Sequence, residues 1–162
     1  MNIEMCSNAV ESHDEPMGAS KEGTETFLQQ SMIVARHAAR SVFEECRDRL
    51  RKTRYLNHRQ NNANGKSARR LYLVLSIPDG DLSPPSIGWM LRRPKFSGLL
   101  GDSDDVDTCI AEDIAFGHSD TQLGSLARPF ELDAVLAIEK ELIRFRRYCH
   151  KVADLCVEAT RG

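Results

Sequence analysis

The chain has 162 residues, 41% of them hydrophobic and 28% charged, with a formal net charge of −2. That size and balance predict one compact folded domain and exclude a disordered or membrane-embedded chain as the default. No run approaches the roughly 20 apolar residues of a membrane span. The opening residues bring Glu4, Glu11, Asp14, Glu15, Glu22 and Glu25 where a secretory leader would bring a basic start and an apolar block, so neither leader nor membrane partner is expected.

Cys6, Cys46, Cys109, Cys149 and Cys156 are odd in number, scattered and never in a C-x-x-C pair. This argues against a disulfide framework or a zinc ribbon and favours a reducing interior, cytoplasmic or nuclear, with the thiols acting as small core residues.

Residues 1–23 mix small polar and acidic side chains without a hydrophobic period and are read as a disordered acidic tail. From Thr24, an N-cap type, the residues Leu28, Met32, Ala35, Ala39, Val42, Cys46 and Leu50 advance by three and four, which predicts an amphipathic helix to about Arg54. Its last turns collect Arg47, Arg49, Arg51, Lys52 and Arg54, where cations complement the helix dipole. The Asn/Gln/Gly-rich stretch Asn57–Gly65 predicts a loop.

Leu71–Ile77 is almost wholly apolar, which fits a buried strand or a short core helix, with the strand favoured. Pro78, Pro84, Pro85 and Pro94, interspersed with glycines, then predict irregular structure. A short helix is expected over Val106–Phe116, stopped by Gly117. After Pro129, Val135, Ile138, Leu142, Phe145, Cys149, Val152, Cys156 and Ala159 keep a second stripe through the end of the sequence. Both stripes are too wide for a coiled-coil seam.

The expected fold is therefore mainly α: two long amphipathic helices packed as an antiparallel pair, an irregular Pro/Gly-rich insert, and one short strand at most. Residues 24–162 form a single helical domain whose loop-rich insert spans about 57–129.

Charge is segregated along the chain. Arg47–Arg70 holds nine Lys/Arg against Asp48, whereas Asp102, Asp104, Asp105, Asp107, Glu112 and Asp113 form an acidic block that could pair with it. A solvated helix end is the plainest account of the basic block. Its functional readings are a loose bipartite nuclear-localisation pattern and a phosphate grip, with Arg51, Lys52, Arg69 and Arg70 as candidates for phosphates or an acidic partner. Trp89, interleaved with Arg92, Arg93 and Lys95, is either a partner anchor or a core residue. The histidines lack metal-ligand spacing. The acidic run from Asp102 to Asp113 resembles a calcium loop, but Val106 takes a ligand place and Asp107 the turn glycine's. Phosphate-cradling loops and a nucleophile elbow are absent from the sequence. No metal, cofactor or catalytic residue is assigned.

In RRYCHKVADLC, Arg146 and His150 stand four apart, and this stretch resembles the core of the small nucleic-acid-binding domains defined by an Arg-x-x-x-His motif. The likeness covers barely a dozen residues and lacks the Leu-Pro-Pro turn that precedes the motif, so the assignment is not adopted. It implies Arg146 and His150 facing phosphates; otherwise both belong to the polar helix face.

The function expected from these features is a non-enzymatic protein–protein interaction or regulatory adaptor on a helical scaffold, with either another protein or a second copy of the chain as partner. The alternative is a nucleic-acid-associated regulator using the basic block 47–70.

Overall fold

The computed structural model describes residues 21–57, 70–80, 83–94 and 105–161. In chain order they form α1 (Lys21–Leu56), β1 (Arg70–Ser76), β2 (Ser86–Pro94), β3 (Asp105–Cys109), α2 (Asp120–Leu126), a 3-10 turn (Pro129–Glu131) and α3 (Leu132–Arg161). The expected tail over 1–23 lies outside the described residues as far as residue 20, and Lys21 to Gly23 belong to α1.

The expected mainly α architecture is overturned by the insert, which carries a three-stranded antiparallel sheet in the order β1-β2-β3. The prolines that argued for irregular structure bound β2 instead of interrupting it. Pro84 and Pro85 precede its first residue and Pro94 is its last, where a missing N–H removes no interior ladder bond. Between them Ile87, Trp89 and Leu91 are buried while Gly88, Met90 and Arg92 take the other face, the two-residue period of a pleated strand. The short helix expected over Val106–Phe116 is also corrected. Asp105–Cys109 is an edge strand paired to β2, with Asp107 opposite Arg92, and a loop follows. Charge on an exposed edge discourages further strand pairing.

The long helices pack with opposed ends. Leu28, Met32 and Ala35 near the start of α1 meet Val152 and Cys156 near the end of α3. At the other end Arg49 pairs with Glu141 at 2.7 Å and Arg54 with Glu131 at 2.8 Å. The sheet covers only this second half. Leu71 and Leu73 of β1 and Ile87, Trp89 and Leu91 of β2 join Ala39, Cys46, Leu50, Val135, Ile138, Leu142 and Cys149 in the principal core. Each leucine, isoleucine or valine among them contributes about 1.5–3 kcal/mol by leaving water. A helix stripe too wide for one partner is thus explained on this half by the sheet as second neighbour. Burial lifts the Cys46 and Cys149 thiols to about 11, so both behave as core residues.

Candidate functional site

Two features stand out: a charged clasp inside the principal core, and a cationic groove where α1 ends.

Glu139 is at the centre of the clasp. It lies four residues after Val135 and three before Leu142, so helical spacing turns a carboxylate into the core beside them. Its Oε1 accepts from the His118 backbone N–H at 2.8 Å and from Arg146 Nη1 at 2.8 Å, and lies 3.1 Å from His118 Nδ1. Its Oε2 accepts from the Trp89 indole N–H at 2.7 Å. Arg146 reaches further, donating from Nε to the Ile87 carbonyl and from Nη1 to the Phe116 carbonyl, both at 2.9 Å. One residue pair on α3 therefore holds β2 and the loop ahead of α2. All four side chains are buried, Arg146 the least at 6% exposure.

The loop is shaped for this approach. A Cβ at Gly117 would come within 2.5 Å of both Glu139 Oε1 and Ile143 Cγ1, so no larger residue fits without displacing the carboxylate. Phe116 sits at φ 64°, a left-handed conformation uncommon for a bulky residue. Its ring meets His150 edge-on at 4.9 Å and lies under the Arg147 guanidinium at 5.9 Å. Asp113 accepts from the Ser119 N–H and hydroxyl, and Ser119 caps α2 by accepting from the Gln122 N–H at 3.1 Å.

Protonation follows from the partners. His118 Nε2 is 3.1 Å from the Ile110 carbonyl while Nδ1 faces Glu139, so both ring nitrogens face acceptors and the imidazolium satisfies both. Burial pulls its pKa down, but the Glu139 hydrogen bond, the Ile110 carbonyl and the Glu139 charge outweigh burial and raise it above the ordinary 6.5. Burial pushes Glu139 up, and the hydrogen bonds from His118 and Arg146 with the Arg146 charge prevail to lower it. A carboxylate flanked by an imidazolium and a guanidinium, with its hydrogen bonds filled and no exposed face, is a fastening rather than an acid or base poised for substrate.

Arg146 and His150 do not act together. Arg146 is buried against Glu139, and His150 is exposed against Phe116, so the phosphate-facing role implied by the Arg-x-x-x-His likeness does not apply to Arg146. Trp89 is fully buried and spends its only polar group on Glu139, which leaves no surface to anchor a partner. The clasp was missed because Glu139 reads as polar-face in isolation; the usable signal was that Glu139 and Arg146 share the stripe of Val135, Leu142 and Cys149.

The groove lies where α1 ends and β1 begins. Arg51, Lys52, Arg54, Tyr55, Leu56 and Arg70 line a concavity of about 670 Å³. Three sequence candidates, Arg51, Lys52 and Arg70, thus come together, whereas Arg69 lies outside the described residues. Tyr55 and Leu56 are 81% and 80% exposed. Arg54 wraps the start of β1, donating to the Leu71 carbonyl and pairing with Glu131, which is 1% exposed. Arg128 stands close enough that, after burial, the charges of Arg70 and Arg54 also depress its pKa against the pull of Glu131. On the sheet's outer face Arg92 is held by Asp107 through two hydrogen bonds, at 2.9 and 3.1 Å, and lies over Tyr72 at 5.1 Å.

No helix among the described residues is long and apolar enough to cross a membrane. No known protein family, curated protein or solved structure matches the chain.

Proposed function

We propose that this protein is a non-enzymatic interaction protein, a regulatory adaptor whose partner protein docks in the groove at the C-terminal end of α1. The observation that carries this reading is the exposed pair Tyr55 and Leu56 set among Arg51, Lys52 and Arg70 around one concavity. Aromatic residues and arginine are the side chains that most often concentrate binding energy. Aliphatic surface framed by cations suits a folded or peptide partner better than a bare phosphate chain. The charged clasp supports the same reading from the other side: its titratable groups are consumed in holding helix to sheet. We assign the protein to the cytoplasm or nucleus, in keeping with its unpaired cysteines Cys46, Cys109, Cys149 and Cys156.

The test is proximity capture in the native host, comparing the wild-type chain with a Tyr55→Ser/Leu56→Ser variant and with a Phe27→Ser variant as a distant surface control. Partners lost only with the groove variant are expected. An identical set from all three chains would refute the groove as the docking site.

A second reading, a nucleic-acid-associated regulator using the basic block 47–70, is favoured by the convergence of Arg51, Lys52 and Arg70. Titration with DNA and RNA at two salt concentrations separates it, since phosphate binding weakens steeply as salt rises.

A further inference from the structure

Resting on the groove as docking site, we infer the chemistry of its occupant: an acidic protein segment that inserts a large apolar side chain between Tyr55 and Leu56 and sets carboxylates against Arg51, Lys52 and Arg70. Charge is the first argument. Arg51, Lys52, Arg54 and Arg70 line the concavity; among the described residues Arg51 has Asp48 at 3.7 Å and Arg54 has Glu131 at 2.8 Å, whereas Lys52 and Arg70 pair with no described carboxylate. Glu131 is buried and already shared, its other oxygen accepting from the Arg128 N–H at 3.3 Å. Among the described residues Lys52 and Arg70 are therefore the cations that an acidic partner would answer.

Shape is the second argument. Among the described residues the cations line a concavity of about 670 Å³. That is the size of a pocket for one or two bulky side chains, within the usual range of about 300–1,000 Å³. Its lining includes Leu56, which offers an aliphatic contact and no hydrogen bond. Arginine and lysine stems extend this apolar surface while their heads stay in water. The complementary ligand is amphipathic, with acids flanking an apolar anchor.

The probe is a fluorescein-labelled peptide of about ten residues with two leucines four apart in a Glu/Asp background, the spacing of anchors on one helical turn. It is compared with a Glu/Asp→Gln/Asn copy, a Leu→Ser copy and a labelled single-stranded DNA, by anisotropy with the full chain. The acidic leucine peptide is expected to bind, with affinity falling by about tenfold or more in each peptide copy and in a Lys52→Glu/Arg70→Glu protein whose circular dichroism is unchanged. Equal binding of the Gln/Asn copy overturns the charge assignment, and equal binding of the Leu→Ser copy overturns the anchor. Binding of DNA without binding of peptide overturns the inference in favour of nucleic acid. If no peptide binds while the Tyr55→Ser/Leu56→Ser chain still loses its captured partners, the acidic occupant is refuted and the groove survives as the docking site.

Discussion

The two halves of the long helix pair are built from the same kind of sequence and held in different ways. Where the start of α1 meets the end of α3, the buried residues are Leu28, Met32, Ala35, Val152 and Cys156, and among the described residues no strand residue joins that cluster. Where the end of α1 meets the start of α3, the apolar stripes meet a sheet as well as each other, and the Glu139–Arg146–His118–Trp89 clasp ties that sheet to α3. Periodicity sets which face a helix buries. The number of neighbours on that face sets how firmly it is held. The bare half accordingly leaves Phe27, Ile33, Val34, Leu155 and Val157 exposed.

Substitutions can break this contrast, and the largest effect is expected inside the clasp. Glu139→Ala strands the buried charges of Arg146 and His118 and should cost about 3–5 kcal/mol, read as a shift in urea midpoint. Replacing Leu142, fully buried under the sheet, with Ala should cost about 3 kcal/mol. In the bare half, Met32→Ala should cost nearer 2 kcal/mol, since the thin layer around Met32 can collapse into the space. Amides of α1 around Met32 should also exchange with solvent faster than those around Cys46. Equal costs and equal exchange would show one cooperative unit and remove the contrast.

Titration of the clasp sharpens it further. His118 binds its proton more tightly folded than unfolded, so its contribution is complete below its ordinary 6.5 and is lost as pH rises through the raised folded value. Glu139 runs the other way: its contribution is present above its ordinary 4.5 and is lost as pH falls through the lowered folded value. Urea midpoints measured across pH should therefore decline on both the acidic and the alkaline side, and His118→Gln should flatten the alkaline decline. The smallest effect belongs to Phe27→Ser on the open face, within about 0.5 kcal/mol.

Much of the helical pair was legible because Leu28 to Leu50 and Val135 to Ala159 each repeat every three or four residues over many turns. The sheet was obscured for physical reasons. In β2 the alternation Ile87, Trp89, Leu91 lies between prolines whose effect depends on where the strand begins and ends, a fact that pairing with β1 decides. In β3 the sequence Asp-Val-Asp-Thr-Cys is acidic because it is an edge, and an acidic edge reads like a loop. Arg51, Lys52 and Arg70 were visible as charge, but their grouping around Tyr55 and Leu56 required β1 to return beside the end of α1. Glu139 and Arg146 could be seen to share a stripe; that both belong indoors depends on Trp89 and on the Gly117 loop arriving to meet them.

The pairing of α1 with α3 also has a consequence for synthesis on the ribosome. Arg49 finds Glu141 across 92 residues and Arg54 finds Glu131 across 77, so the first helix leaves the exit tunnel well before the surface that buries its apolar side. During that interval its broad apolar face stays open to water, and closure waits on α3.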